Sequence, residues 1–240
     1  MGAGYYSYVQ TNEAYIDETA RATYKGIAIK TIILIGITIA VAFLTGYFLP
    51  VILTNNEYGF YITLIFSVFI GAISGIIGRF FPKAAKVCSI IYSLTEGIFL
   101  GTITAIVDYF AKGAGTLSIA STLVTFTIML VLYAFGFLKN GAIIRTIIFG
   151  LIFAALGLSV FDLVFSLING GFPMGIYILI QVILLIYGVI TLAFNFAEAQ
   201  YVVNVGASKS SEWCVALGME ISLIFIYLYV LRIVSYFLNR

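Results

Sequence analysis

The amino-acid sequence predicts an all-α integral membrane protein, and three observations lead to that fold class. Hydrophobic residues make up 62% of the 240 residues and charged residues only 9%, whereas soluble domains carry roughly 25% charged residues. Apolar runs of about 20 residues, long enough to cross a bilayer as helices, recur along the chain. Short polar breaks separate these runs. Because lipid cannot satisfy backbone hydrogen bonds, each run is expected to be helical despite its many β-branched and aromatic residues.

Seven apolar runs predict seven transmembrane helices. Their expected ranges are 27–50, 59–78, 85–107, 117–138, 146–168, 173–196 and 212–238. Residues 1–22 are predicted to form a polar cytoplasmic arm, and residues 23–240 a single transmembrane domain. Small residues at four-residue spacing in 71–78, together with Gly97 and Gly101, are expected at helix contacts, because small side chains let helix backbones approach closely.

Lysines and arginines are divided unequally between the two sides of the predicted bundle. Nine of the twelve lie in the N-terminal segment or in connections on the same side. They are Arg21, Lys25, Lys30, Arg79, Lys83, Lys86, Lys139, Arg145 and Lys209. The opposite side has Lys112, Arg232 and Arg240. Since cytoplasmic loops are enriched in positive residues, the N-terminus is predicted in the cytoplasm and, with seven spans, the C-terminus outside.

Composition argues against several classes of function. The chain has no histidine, so the commonest transition-metal ligand and the usual neutral-pH proton switch are absent, and any proton sensing falls to carboxylates. The lysines and arginines are scattered singly, unlike the clustered patch of a nucleic-acid binder. No nucleophile elbow, phosphate-binding loop or intramembrane aspartate pair is found. The sequence therefore predicts neither an enzyme nor a resident cofactor.

Glu96 is the deepest ionisable residue of the predicted spans. Charged side chains at the centre of a membrane helix cost about 2.5–3.5 kcal/mol on insertion scales, which makes each one a candidate functional residue. Glu96 lies roughly 16 Å into the third span, near the midplane. The neighbouring Ser93 and Thr95 add hydroxyls that could share its proton or a bound cation. A protonated glutamic acid bonded to a neighbouring helix is the alternative.

Four further polar residues are expected near the cytoplasmic ends of the spans. Glu220 lies about two turns into the seventh span, and Asn195 lies near the end of the sixth, with Glu198 placed in the connection that follows. Arg79 ends the second span on the same side. These groups could form a gate held shut by hydrogen bonds and charge, or a static interhelical clamp. Glu96 and Glu220 are the candidates for transient calcium contact.

Two aspartates lie towards the opposite side. Asp162 is placed near the outer end of the fifth span and Asp108 at the outer end of the third. Both could simply face interfacial water. Asp162 is kept as a candidate residue of an ion pathway.

Three stretches of the chain carry a family pattern. Residues 23–31 open the first span, residues 92–101 contain Glu-Gly-x-x-Leu-Gly in the third, and residues 212–232 run from Glu-Trp to Leu-Arg in the last. Through them the chain resembles the Bax inhibitor family, also called the transmembrane Bax inhibitor motif proteins, and looks closest to its bacterial branch. The likeness extends from about residue 20 to residue 238.

The resemblance implies a bundle of six helices around a central seventh that lets calcium leak down its gradient in a pH-sensitive manner. In the family, proton sensing is attributed to two aspartates near the cytoplasmic ends of the last two spans, linked to an arginine of the second. The first position matches Asn195, an amide that does not titrate. The second matches Glu220 by its place along the helix, and Arg79 is the available arginine.

Three functions remain open at this point. The first is a passive cation pathway, with calcium as the permeant ion and hard oxygen groups along it. The second is a non-conducting membrane regulator that binds other membrane proteins, such as a quality-control protease. A proton-coupled transporter ranks last, because no internal repeat is evident. The resemblance further implies a bacterial plasma (inner) membrane, and a monomer is plausible.

Overall fold

The computed structural model describes residues 21–55, 57–134 and 174–238 of the chain, and every regular element in them is an α-helix. The helices are α1 (Tyr24–Asn55), α2 (Glu57–Phe80), α3 (Pro82–Phe110), α4 (Ala114–Ala134), α5 (Met174–Asn204) and α6 (Ser211–Leu238). Five of them, α1, α2, α3, α5 and α6, are long and apolar enough to cross a membrane, and residues Ala114–Met129 of α4 form a further apolar helix. The described residues are therefore helical throughout their regular elements, and the chain is a multi-pass membrane protein, as predicted. The predicted span 146–168 lies outside the described residues, so the number seven stays a prediction.

The connection between α2 and α3 is shorter than the sequence predicts. It consists of Phe81 alone, and α3 begins at Pro82, where a proline fits because the first helical residues need no N–H partner within the helix. Lys83 and Lys86, predicted in this connection, lie instead in the first two turns of α3. Their charges mark the edge of the apolar segment and not the end of the helix.

The end of α5 also differs from the prediction, and this moves a candidate residue. The predicted sixth span ends at residue 196, with Glu198 in the following connection, but α5 continues to Asn204 and contains Glu198. Alanine, glutamate and glutamine are good helix formers, so the polar stretch after the apolar run prolongs the helix. Gly206, in a left-handed conformation (φ 73°), then ends it. The Gly206 and Ala207 N–H groups donate back to helix carbonyls at 3.1 and 3.0 Å, the pattern of a Schellman cap.

The described residues form two compact units. The first contains residues 21–106 and 198–221, and the second contains residues 107–134, 174–197 and 222–238. Helix α6 contributes to both. In its apolar segment 72% of the residues are buried, against 33% or less in the other four long helices.

In the first unit, glycines let two pairs of helices approach closely. A Cβ atom added at Gly97 would lie 2.7 Å from the Val41 Cβ atom, and one added at Gly101 would overlap the carbonyl oxygen of Ala42, so α3 packs directly on the backbone of α1. On the neighbouring helix, a Cβ atom at Gly78 would lie 2.7 Å from a methyl carbon of Leu217, which brings α2 against α6. These contacts confirm the predicted role of the small residues.

The described part of the second unit includes residues 174–197 of α5 and 222–238 of α6. Buried Leu184 packs with the tyrosine ring at position 229, and a Cβ atom at Gly188 would lie 3.1 Å from Ile226. At the start of α4, the Asp108 carboxylate accepts the Gly115 N–H at 2.7 Å. A carboxylate at this place caps the helix, so Asp108 has a structural partner in addition to any contact with interfacial water.

The close approach of α3 to α1 makes a testable prediction. We expect Gly101→Ala to lower the free energy of unfolding by about 1–3 kcal/mol, because the added methyl group meets a backbone carbonyl that cannot move aside without shifting the helix. Denaturant titration of the purified protein in detergent measures this loss. Gly36→Ala is the matched control, since a Cβ atom there meets nothing within 4 Å. An equal loss in both variants would contradict the close approach.

Candidate functional site

Glu220 is the centre of the candidate site and is fully buried in the first unit. It lies on α6, about two turns from the start of the helix, as the sequence predicts. Its Oε1 atom accepts hydrogen bonds from the Thr38 hydroxyl of α1 at 2.6 Å and from the Ser93 hydroxyl of α3 at 2.7 Å. One carboxylate oxygen therefore joins three membrane-spanning helices.

The other oxygen of this carboxyl group is unsatisfied. Among the described residues, Glu220 Oε2 has no hydrogen-bond partner although it is buried. An unpaired buried carboxylate oxygen is costly in an apolar interior, so this atom is available to a proton or to a cation. Glu96 and Tyr92 of α3 are close enough to Glu220 for electrostatic interaction.

The hydroxyls of Ser93 and Thr95, which the sequence predicts beside Glu96, bond elsewhere. The Ser93 hydroxyl faces Glu220, and the Thr95 hydroxyl donates to the backbone carbonyls of Ile91 and Tyr92 at 2.9 and 3.0 Å. Glu96 is half-buried and lies beside α2, where a Cβ atom at Gly71 would be 3.6 Å from its Oε1 atom. The two glutamates thus occupy different surroundings within the same unit.

Arg79 connects three helix ends of the first unit. Its guanidinium forms an ion pair with the Glu198 carboxylate of α5, in which Nη1 donates to Oε1 at 3.1 Å and Nη2 donates to Oε2. Nη1 also donates to the carbonyl of Cys214, in the first turn of α6, at 3.2 Å. Such two-point contacts fix geometry as well as charge. The observed partner of the second-span arginine is therefore Glu198.

Asn195 belongs to the second unit, where it bonds to α6. Its Nδ2 atom donates to the Ser222 hydroxyl at 2.7 Å, and both residues are buried. This interhelical hydrogen bond holds α5 to α6 without a titratable group. Asp162, the remaining sequence-predicted residue, lies outside the described residues.

Sequence reasoning missed two groups of partners. Thr38 and Ser222 gave no signal, because serine and threonine are common in membrane helices and usually bond to a carbonyl of their own helix. In the sequence, Glu212 stands out only as part of the family pattern, and Lys30 only as one of the positive residues that predict topology. The two residues form a buried ion pair at 2.5 Å between α1 and α6.

The carboxylates do not form a preorganised metal cage within the described part of the chain. No group of three or more histidine, cysteine, aspartate or glutamate residues is placed there to hold a metal ion. Calcium needs six to eight oxygen ligands in an all-protein site.

Comparison with known proteins agrees with the pattern in residues 23–31, 92–101 and 212–232. A family model described as Bax inhibitor 1 like matches residues 6–239. No curated protein and no solved structure is detectably similar to the chain. The family match covers nearly all of the helices and both glutamates of the site, and the chain belongs to the Bax inhibitor 1 like family.

Proposed function

We propose that this protein is a passive, non-enzymatic cation pathway with calcium as its permeant ion. One observation carries the proposal: Glu220 is fully buried in a membrane-spanning helix, with one oxygen bound by two hydroxyls and the other unpartnered among the described residues. Ionisable groups inside the membrane are rare and mark ion or proton routes. The chain belongs to the Bax inhibitor 1 like family. The resemblance described above implies calcium leak for this family, which supports the same function.

The chemistry of the site fits a leak better than a tight calcium store. Glu220, Glu96 and the Tyr92 hydroxyl offer hard oxygen atoms, which suit calcium, but far fewer than the six to eight that a stable cage requires. A cation that meets few ligands is held weakly and leaves quickly. Weak contact at two carboxylates allows passage, whereas a full coordination shell would retain the ion.

In this proposal the Arg79–Glu198 ion pair closes the cytoplasmic end of the pathway. It joins the ends of α2 and α5, and the Cys214 carbonyl adds the start of α6. Opening requires these helix ends to separate. Because the partners are mostly buried, removing either one leaves an uncompensated charge, which costs more than breaking an exposed surface pair.

We further propose a bacterial plasma membrane, a cytoplasmic N-terminus and a monomeric protein. The contacts of the first unit support a common side for the basic residues. Ala22 N–H donates to the Ala207 carbonyl at 2.8 Å, and the Lys30 ammonium donates to the Lys209 carbonyl at 3.0 Å. The start of α1 and the connection before α6 therefore lie together, and both carry positive residues, as cytoplasmic segments do.

Calcium entry into proteoliposomes tests conduction. We expect Glu220→Gln and Glu96→Gln to change the rate of entry about tenfold and to reduce its difference between pH 6 and pH 8. The physical reason is that a neutral amide neither attracts a cation nor exchanges a proton, and charge-assisted hydrogen bonds contribute about 1.5–3 kcal/mol each. A trapped calcium indicator reports the rate.

The matched control for these variants is Asp108→Asn. It makes the same kind of change in the same helix as Glu96, at a carboxylate that caps α4. Its entry rate should equal that of the native protein. If native protein never exceeds empty liposomes at either pH, conduction is wrong, and the regulator that binds membrane proteins takes its place.

The proposed gate gives a second prediction. Arg79→Gln and Glu198→Gln should each raise calcium entry about a hundredfold, because removing one partner of a largely buried pair destabilises the closed arrangement by about 3 kcal/mol and about 1.4 kcal/mol corresponds to a factor of ten. Lys86→Gln, which removes an exposed charge from α3, is the control. Lower thermal stability with native entry rates in both variants would make the pair a static clamp.

A further inference from the structure

The first turn of α1 is capped by a residue from another helix. Thr23 precedes the helix, and its hydroxyl oxygen accepts the Gly26 N–H at 2.9 Å. In a capping box, the residue at the position of Gly26 is a glutamate or glutamine whose side chain returns to the N–H of the capping residue. Glycine cannot do this. Here the Glu212 carboxylate of α6 accepts the Thr23 N–H at 2.8 Å instead.

Glycine at position 26 is required by this arrangement. A Cβ atom there would overlap the carboxyl group of Glu212. Glu212 also lies in the first turn of its own helix. One negative charge thus sits at the N-terminal ends of both α1 and α6, where the two helix dipoles favour it.

Lys30 completes this contact, which we call the α1–α6 clamp (Thr23, Gly26, Lys30 and Glu212). The Lys30 ammonium lies 2.5 Å from Glu212 Oε2 and 5.1 Å from the centre of the Trp213 ring. The Glu212 side chain is 1% exposed and that of Lys30 is 12% exposed. The clamp is therefore a buried, charge-neutral joint between the two helices.

The clamp and the candidate site have the same spacing on both helices. Lys30 and Thr38 are eight residues apart on α1, and Glu212 and Glu220 are eight residues apart on α6. Lys30 bonds to Glu212, and Thr38 bonds to Glu220. The two helices therefore run in the same direction and in step, with about 12 Å between the two contacts.

The buried face of α1 between these contacts is continuous. Ile27, Thr31, Leu34 and Thr38 are buried at helical spacing, and the Thr31 hydroxyl lies 3.7 Å from the Met219 sulfur. Because α1 has no break between Tyr24 and Asn55, an axial slip at the clamp is passed to Thr38. A slip of one residue, about 1.5 Å, is enough to break a 2.6 Å hydrogen bond.

We infer that Glu212 is a positioning residue for Glu220: by capping α1 and binding Lys30, it sets the axial register at which the Thr38 hydroxyl meets the Glu220 carboxyl group. The inference deepens the proposed function, on which its relevance to conduction rests. The hydrogen bond itself is a separate, measurable property.

Infrared difference spectroscopy of the full-length protein in liposomes measures that hydrogen bond directly. At acidic pH the protonated carboxyl band of Glu220 is assigned by its loss in Glu220→Gln, and its frequency reports the hydrogen bonds of the carboxyl group. We expect Thr38→Val to shift the band. Glu212→Gln, which keeps the side-chain shape but loses the ion pair, and Gly26→Ala, which displaces the carboxylate, should shift it in the same way.

Gly36→Ala is the matched control, because it makes the same change on the same helix where a Cβ atom meets nothing within 4 Å. Its band should stay at the native frequency. In the Thr38→Val background, Glu212→Gln should cause no further shift. A native band in Glu212→Gln, or shifts that add in the double variant, would overturn the inference, and Glu212→Gln decides the question if Gly26→Ala does not fold.

Calcium entry measured on the same variants separates the two proposals. If the clamp variants shift the band and change calcium entry as Thr38→Val does, both proposals hold. If the band shifts but native protein passes no more calcium than empty liposomes, Glu212 positions Glu220 and conduction is wrong. If calcium entry is native-like and the band does not move, the inference is wrong and the pathway stands.

Discussion

The polar interior of this protein depends on how closely α1 approaches α3 and α6. A buried carboxyl group in a membrane helix needs hydrogen-bond donors from neighbouring helices, because lipid offers none. Thr38 can provide one because Gly97 and Gly101 let α3 lie against the α1 backbone: the Thr38 carbonyl oxygen itself would lie only 2.9 Å from a Cβ atom at Gly97. The same residue then reaches Glu220 with its hydroxyl. The close packing of α1 on α3 and the hydrogen bond from α1 to Glu220 therefore depend on the same residue, Thr38.

The spans were predictable because hydrocarbon thickness imposes a length that can be counted in residues. The ends of the helices were not predictable in this way. The first polar residues mark the edge of the apolar segment, but the helix continues beyond that edge. Glu198 shows the difference: it follows the apolar run, yet it remains helical and binds Arg79. Lys83 is a second example, at the start of a span: it precedes the apolar segment, yet it lies within the first turn of α3. The true end of α5 was encoded locally, in the left-handed Gly206 and its cap.

The members of the candidate site were partly predictable, but their partners were not. Burial cost identifies Glu96 and Glu220 as unusual from sequence alone. The hydroxyl that bonds to each carboxylate is determined by which faces of the helices pack together. A membrane helix is apolar on nearly all sides, so its hydrophobic pattern does not show which face packs against a neighbour. Ser93 is three residues from Glu96 along α3 and yet binds Glu220. Thr38 is as ordinary in sequence as Thr122, whose hydroxyl bonds within its own helix.

Positive residues at the predicted cytoplasmic end are of two kinds, buried and paired or exposed, although counting lysines and arginines does not distinguish them. Arg79 and Lys30 are largely buried and neutralised by Glu198 and Glu212, whereas Lys25, Lys83, Lys86 and Lys209 are exposed. Membrane insertion responds to the charge of both kinds, and among the described residues the paired ones also join neighbouring helices. The Lys30–Glu212 pair joins α1 to the start of α6, and the Arg79–Glu198 pair joins the ends of α2 and α5, with the Cys214 carbonyl linking Arg79 to the start of α6. The ends of the helices around Glu220 are therefore fixed by buried charge pairs, and the exposed lysines are left to face the aqueous phase.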